Sequence, residues 1–148
     1  MKKLLSLLLV ISFVPVIVEA FSTKSTQITA AQLKKMLDKG QDFTLINVLS
    51  EDAFEDCHIK HKNSNAIPDC IPFFKLENIA KKWSSKVKES PIYVYCASEK
   101  CVASQNACEI LQKLGFKKIF EYKRGMREWL ELGYPSVGPC KMEYLFNE

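Results

Sequence analysis

Phe43, Thr44, Leu45, Ile46, Asn47 and Val48 are mostly apolar, with no strict alternation of apolar and polar positions. A strand with that pattern is covered on both faces, and a sheet covered by helices on both faces is the setting of parallel pairing. The rest of the chain must then supply those helices, and its periodicity does.

Thr29 followed by Gln32 matches a capping box, Leu33, Met36 and Leu37 make one apolar face, and Gly40 stands where a left-handed C-terminal cap is needed. Ser50 is placed to cap a short helix running through Phe54. Leu76, Ile79, Ala80 and Trp83 fall on one face of a further helix over residues 76–83. After Pro91, the residues Ile92, Tyr93, Val94 and Tyr95 form a second strand that runs directly into Cys96. Ala103, Ala107, Ile110, Leu111 and Leu114 share a helical face that ends at Gly115. Residues 118–122 form a third strand, followed by a helix from about Met126 to Leu132 that stops at Gly133. Strands alternating with helices define an α/β domain with a largely parallel sheet. No repeat, linker or second domain is visible.

The chain has 148 residues, enough for one such domain. Its N-terminus does not belong to the fold. Met1, Lys2 and Lys3 precede an apolar run from Leu4 to Val18, broken only by Ser6, Ser12 and Pro15, and Val18-Glu19-Ala20 ends in small residues. This is the pattern of a signal peptide over residues 1–20, and the run is shorter than the ~20 residues of a spanning helix. We therefore expect export to a periplasm or beyond the cell, no stable membrane anchor, a flexible leader over residues 21–27, the domain over 28–139 and a tail over 140–148. The net charge of +4 lacks a clustered basic stripe, so nucleic acid is not an expected partner. No G-x-x-x-x-G-K loop occurs, which argues against nucleotide binding.

In parallel α/β sheets, ligands bind beyond the carboxyl ends of strands, where helix N-termini and unpaired amides converge. Cys96 occupies such a place. Residues 96–104 join strand to helix, with Ser98 or Ser104 as candidate helix caps. Amides and helix dipole there favour an anionic sulfur. Lowering a thiol pKa from ~8.5 to ~7 raises the thiolate share at neutral pH to about half, worth roughly 2 kcal/mol. Cys96 is therefore expected to be an accessible nucleophile, ionised near neutrality.

At this point the sequence resembles the rhodanese-like sulfurtransferases, over about residues 28–139. Four pieces carry the resemblance in order: Leu45-Ile46-Asn47-Val48; Cys57-His58-Ile59; Ile92-Tyr93-Val94-Tyr95-Cys96; and Leu114-Gly115-Phe116 through Gly125-Met126-Arg127-Glu128-Trp129 to Gly133-Tyr134-Pro135. The resemblance implies a three-layer domain in which Cys96 takes a sulfane sulfur from a donor such as thiosulfate, holds it as a persulfide and yields it to a thiophilic acceptor. The implied partners are a small sulfur donor and a thiol acceptor. No cofactor or metal is implied.

The chain departs from the family pattern at several positions. Asn47 and Leu49 stand where members usually have Asp and Arg, and Cys57 where they have a glycine before His. The 19 positions from Cys96 to Gly115 are two more than the common spacing, and Glu99, Lys100, Cys101 and Val102 replace the usual loop glycine and arginine. Only two arginines occur, Arg124 and Arg127, so no arginine in the loop can clamp an oxyanion, unlike in the related phosphatases and arsenate reductases. The expected substrate-binding residues are Ala97, Ser98, Glu99, Lys100, Val102 and Arg124. Lys100 and Arg124 would supply positive potential for an anionic donor, and Glu99 is expected to point to solvent.

Six cysteines allow 15 pairings, and sequence does not choose among them. If Cys96 is free, at least one other cysteine is free as well. Cys101 is the nearest partner, which defines a second reading: Cys96 and Cys101 as attacking and resolving thiols of a redox protein. A third is a binding module that keeps the fold without turnover. Cys57, His58, His61 and Cys70 are zinc-type residues at spacings that match no common site. His58 is read instead as a structural hydrogen-bonding residue and His61 as part of a solvated loop. Cys57 either faces the active loop or bridges to another segment. Cys108 and Trp129 are read as packing residues.

Overall fold

The computed structural model describes residues 25–64, 66–141 and 143, so the segment read as a signal peptide lies outside the described residues. Four strands form a parallel sheet in the order β1 (Thr26–Gln27), β5 (Ile119–Tyr122), β4 (Ile92–Tyr95), β2 (Thr44–Asn47). The register pairs Asn47 with Tyr95 and Tyr95 with Tyr122, so the carboxyl ends of β2, β4 and β5 lie side by side. A parallel bridge from Asn47 to Cys70 extends this edge. A separate antiparallel pair joins β3 (His58–Ile59) to β6 (Ser136–Val137).

The apolar pattern of β2 has the expected cause: all four of its residues are buried. Leu45, Tyr93, Tyr95 and Tyr122 face one helical layer and pack with Leu33 of α1 (Ala30–Asp38) and with Met126 and Trp129 of α6 (Gly125–Glu131). Ile46, Val94 and Cys96 face the other layer, packing with Leu76 and Ala80 of α3 (Phe73–Ala80) and with Ala107, Cys108 and Leu111 of α5 (Ala103–Lys113). Helices on both faces make the three-layer α/β arrangement expected.

Local chemistry fixes the element ends. The Thr29–Gln32 capping box opens α1, and Gly40 follows it with φ +59°. Ser50 caps α2 (Glu51–Asp56) through the Ala53 amide. Trp129 is buried, and its Nε1 donates to the Pro135 carbonyl at 2.9 Å.

Several expectations need correction. Helix α3 begins at Phe73 behind Pro72, which suits a helix start because it lacks an amide. It ends at Ala80, and Trp83 lies beyond it, packing edge-on against Phe116. The short helix α4 (Ser85–Glu89) was not foreseen. Thr26 and Gln27, read as the end of a loose leader, pair with Phe120 and Glu121. Cys140, placed in the tail, is bonded to Cys57 by a disulfide that spans 83 positions. His61 does not sit free on a solvated loop: its ring stacks on Phe43 with centroids 4.7 Å apart, and Nε2 meets the Phe43 carbonyl. His58 makes the structural hydrogen bond expected of it, Nδ1 to the Phe54 carbonyl at 2.7 Å.

Candidate active site

Cys96 follows β4 directly, at the carboxyl edge of the central sheet. Two amides of the first turn of α6 hold it there. Met126 N–H donates to the Cys96 carbonyl at 3.0 Å, and Arg127 N–H to the Ala97 carbonyl at 2.9 Å. Those donors would otherwise be orphans of the helix start, so the backbone of Cys96 and Ala97 is fixed by satisfying them. A close approach makes this possible: Gly125 has φ +61°, and a Cβ there would lie 2.8 Å from the Ala97 carbonyl carbon.

The sulfur itself is not exposed. Cys96 is 0% accessible, Ala97 3% and Ser98 1%. A turn from Ser98 to Cys101, closed by the Cys101 amide on the Ser98 carbonyl, folds over it. The thiol's hydrogen-bond acceptors are the Ser104 hydroxyl at 3.4 Å, the Cys101 carbonyl at 3.6 Å and the Ser98 carbonyl at 3.9 Å. A side-chain hydrogen bond with Cys101 and burial hold the Cys96 thiol well above its ordinary range, while the Ser104 hydroxyl and backbone amide pull the other way. The expectation of an accessible sulfur ionised near neutrality is therefore overturned. The reason is physical: the loop surrounds the sulfur with carbonyl oxygens and a second thiol, and Ser104 is the amide donor that favours the anion.

Ser98 and Ser104 do not cap α5. Val102 occupies the cap position without a side-chain bond, and Ser104 lies inside the first turn, fully buried. Its hydroxyl donates to Glu121 Oε1 at 2.8 Å. Glu121 is 2% exposed, accepts also from Ser25 Oγ at 3.0 Å, and has Lys123 Nζ at 3.9 Å. Lys123 Nζ in turn donates to the Cys101 carbonyl at 3.0 Å, tying the loop to the end of β5. Sequence reasoning missed Glu121 and Lys123. A signal was present, since a carboxylate inside the buried stretch Ile119-Phe120-Glu121-Tyr122 has to be paired.

Outside the loop lies a cavity of about 310 Å³, lined by Ser98, Glu99, Lys100, Arg124, Arg127, Glu128 and Glu131. It gathers four of the six expected binding residues. Of the other two, Ala97 is buried against α6, and Val102 is 60% exposed. Glu99 does face solvent, but it also approaches Arg124 at 3.9 Å, and Arg124 meets Glu128 at 3.6 Å.

The six cysteines divide into one bridge, Cys57–Cys140, and four outside any disulfide, Cys70, Cys96, Cys101 and Cys108. Cys108 is a packing residue, as expected, and burial pushes its thiol up to about 12. Cys70 is raised to about 11, again chiefly by burial.

Cys96 stands at the carboxyl end of a central parallel strand, followed by a loop and the start of α5, which is the ligand-binding edge of a three-layer α/β domain. The rhodanese-like domain family matches residues 29–132, and the chain belongs to that family. Among solved structures, a protein from Bacillus halodurans is similar at 27% identity, covering 78% of this chain and 79% of that one, with a TM-score of 0.64. The rhodanese-like domain of an Anabaena protein is 29% identical over 81% of this chain and 84% of that one, with a TM-score of 0.63. A homodimeric polysulfide-sulfur transferase from Wolinella succinogenes is 27% identical over 80% and 82%, with a TM-score of 0.58. No curated protein matches the chain.

Proposed function

We propose that the protein is an exported sulfurtransferase that carries a sulfane sulfur as a Cys96 persulfide and passes it to a thiol acceptor. The observation that carries this reading is the position of Cys96, directly after β4 with its loop forming one wall of the charged cavity. The polysulfide-sulfur transferase of similar fold supports the substrate class. The donor is a small anion such as thiosulfate or polysulfide, drawn to Lys100, Arg124 and Arg127. Because the sulfur is buried, the turn over residues 98–101 has to open before the donor reaches it. Export is supported by the N-terminal pattern and by the Cys57–Cys140 disulfide, a bond that persists in oxidising compartments.

A second reading rests on the hydrogen bond between the Cys96 and Cys101 side chains, which brings two cysteines outside any disulfide within reach of each other. In that case the pair cycles between dithiol and disulfide. Mass spectrometry of the protein after thiosulfate or polysulfide treatment separates the two readings. Gain of one sulfur on Cys96, absent in Cys96→Ser, supports transfer, and loss of two hydrogens across Cys96 and Cys101 supports the redox pair. If neither change occurs, the fold serves as a binding module.

A further inference from the structure

A buried thiol of raised pKa is a poor nucleophile unless something nearby takes its proton. The hydrogen bonds below Cys96 run in one direction. Of the thiol's three acceptors, Ser104 Oγ is the nearest at 3.4 Å, and the Ser104 hydroxyl donates to Glu121 Oε1 at 2.8 Å. Three elements meet to build this chain: the end of β4, the first turn of α5 and the middle of β5. Each member is within 2% of full burial, so bulk water does not compete for the proton.

We propose that Ser104 and Glu121 form an internal proton relay for Cys96, with Glu121 as the base and Ser104 as the carrier. As the Cys96 S–H bond breaks, its electron pair stays on sulfur and its proton goes to Ser104 Oγ, while the Ser104 hydroxyl proton passes to Glu121 Oε1. The products are a thiolate, an intact serine and a carboxylic acid. No net charge is created in the core: one negative charge moves from carboxylate to sulfur, which avoids the large penalty of ionising an isolated buried group. The thiolate then attacks the outer sulfur of the donor, and for thiosulfate the donor S–S bond breaks with its electron pair leaving on sulfite. When an acceptor thiolate takes the outer sulfur from the persulfide, the Cys96 thiolate is released and recovers its proton from Glu121 through Ser104.

The surrounding charges are placed for this exchange. Glu121 is faced by Ser25 ahead of β1, by Ser104 and Cys108 of α5, and by Lys123 after β5. Lys123 lies beside the carboxylate and also donates to the Cys101 carbonyl, an acceptor of the Cys96 thiol, so it ties the loop to the Glu121 end of the relay. Cys96 is faced by Cys101, whose side chain opposes its ionisation, and by Ser104, which favours it. Ser104 touches the reacting sulfur and is a catalytic residue, and Glu121, acting through it, is a positioning residue.

This inference rests on the sulfur-transfer reading, and its test separates the two. Iodoacetamide labelling of the reduced protein is followed by peptide mass spectrometry at Cys96 across pH, beside persulfide formation from thiosulfate. In wild type the relay gives a labelling rate that is flat around neutrality, because the thiolate is generated internally. Glu121→Gln and Ser104→Ala abolish the flat region, leave a rate that climbs with pH, and reduce labelling at pH 7 by about tenfold or more. Ser104→Thr restores it. Since Glu121→Gln leaves the half-buried Lys123 with its partner neutralised, the double variant Glu121→Gln/Lys123→Met provides a form without an orphan charge and shows the same loss. Unchanged profiles in Ser104→Ala and in the double variant overturn the relay, even where the wild type forms the persulfide. A flat wild-type profile that the variants lose, without persulfide formation, upholds the relay and overturns sulfur transfer. No labelling of Cys96 in wild type at any pH overturns both.

Discussion

The carbonyl of Cys96 accepts the main-chain amide of Met126 at 3.0 Å, and Gly125, one residue earlier, leaves no room for a Cβ against that same carbonyl. Cys96 is thus held by the backbone of another element. A Gly125→Ala variant has to push α6 away from the strand end, besides holding a left-handed φ of +61°. We expect a loss of roughly 2–4 kcal/mol in urea unfolding, together with altered Cys96 labelling in the surviving fold. Loss of stability without any change at Cys96 would show that the contact is purely structural.

The Cys57–Cys140 bridge closes a loop of 83 positions and ties the end of the described chain to the start of β3. On a chain-entropy basis its removal costs about 4.5 kcal/mol. Cys140→Ala is therefore expected to lower the urea midpoint sharply under oxidising conditions, while the wild type shows the same drop only after reduction. Equal stability of the two oxidised proteins would mean that the native state gains nothing from the bridge.

The parts of the fold that follow from periodicity were legible. Strands β2 and β4 and helices α1 and α5 were read from apolar faces and stop residues, because burial decides those positions. β1 was not legible, since a two-residue edge strand of Thr26 and Gln27 carries no pattern; its existence depends on β5 offering free backbone groups. At the candidate site, the position of Cys96 at the sheet's carboxyl edge was legible because it follows from the strand that precedes it. The ionisation state was misjudged because it depends on which atoms of the loop turn inward, carbonyls or amides, and residue identities do not state that. Glu121 and Lys123 were missed because they are far from Cys96 in sequence and meet it only through intermediaries, Glu121 through Ser104 and Lys123 through the Cys101 carbonyl.

Cys108 offers a clean pH test. Its thiol is raised from an ordinary value of 9.0 to about 12, first by burial and then by the Glu121 carboxylate. An acid whose folded pKa lies above its unfolded one favours the folded state while both are protonated. Above pH 9 the unfolded chain loses that proton and the folded one does not, so stability falls as pH rises from 9 toward 12. Cys108→Ala removes this component. The gap between wild type and variant should narrow or reverse by about 2 kcal/mol between pH 8 and pH 11 in urea unfolding, and parallel curves would rule out a buried neutral thiol.

The mouth of the site is electrically balanced, and that balance is adjustable. Lys100, Arg124 and Arg127 line the cavity together with Glu99, Glu128 and Glu131, and Arg124 is shared between Glu99 and Glu128. An anionic donor arriving there competes with two carboxylates for one guanidinium. Glu99→Gln releases Arg124 on the side of the loop, and since exposed pairs of this kind are worth about 0.2–1 kcal/mol, kcat/KM for thiosulfate should rise by roughly two- to fivefold. The gain should shrink at high ionic strength, where exposed charges are screened. Arg124→Ala combined with Lys100→Ala should lower kcat/KM by a similar factor and leave the pH profile of Cys96 labelling unchanged. If the double variant turns over thiosulfate at the wild-type rate, these cations are solvated surface charges and the donor reaches Cys96 by another path.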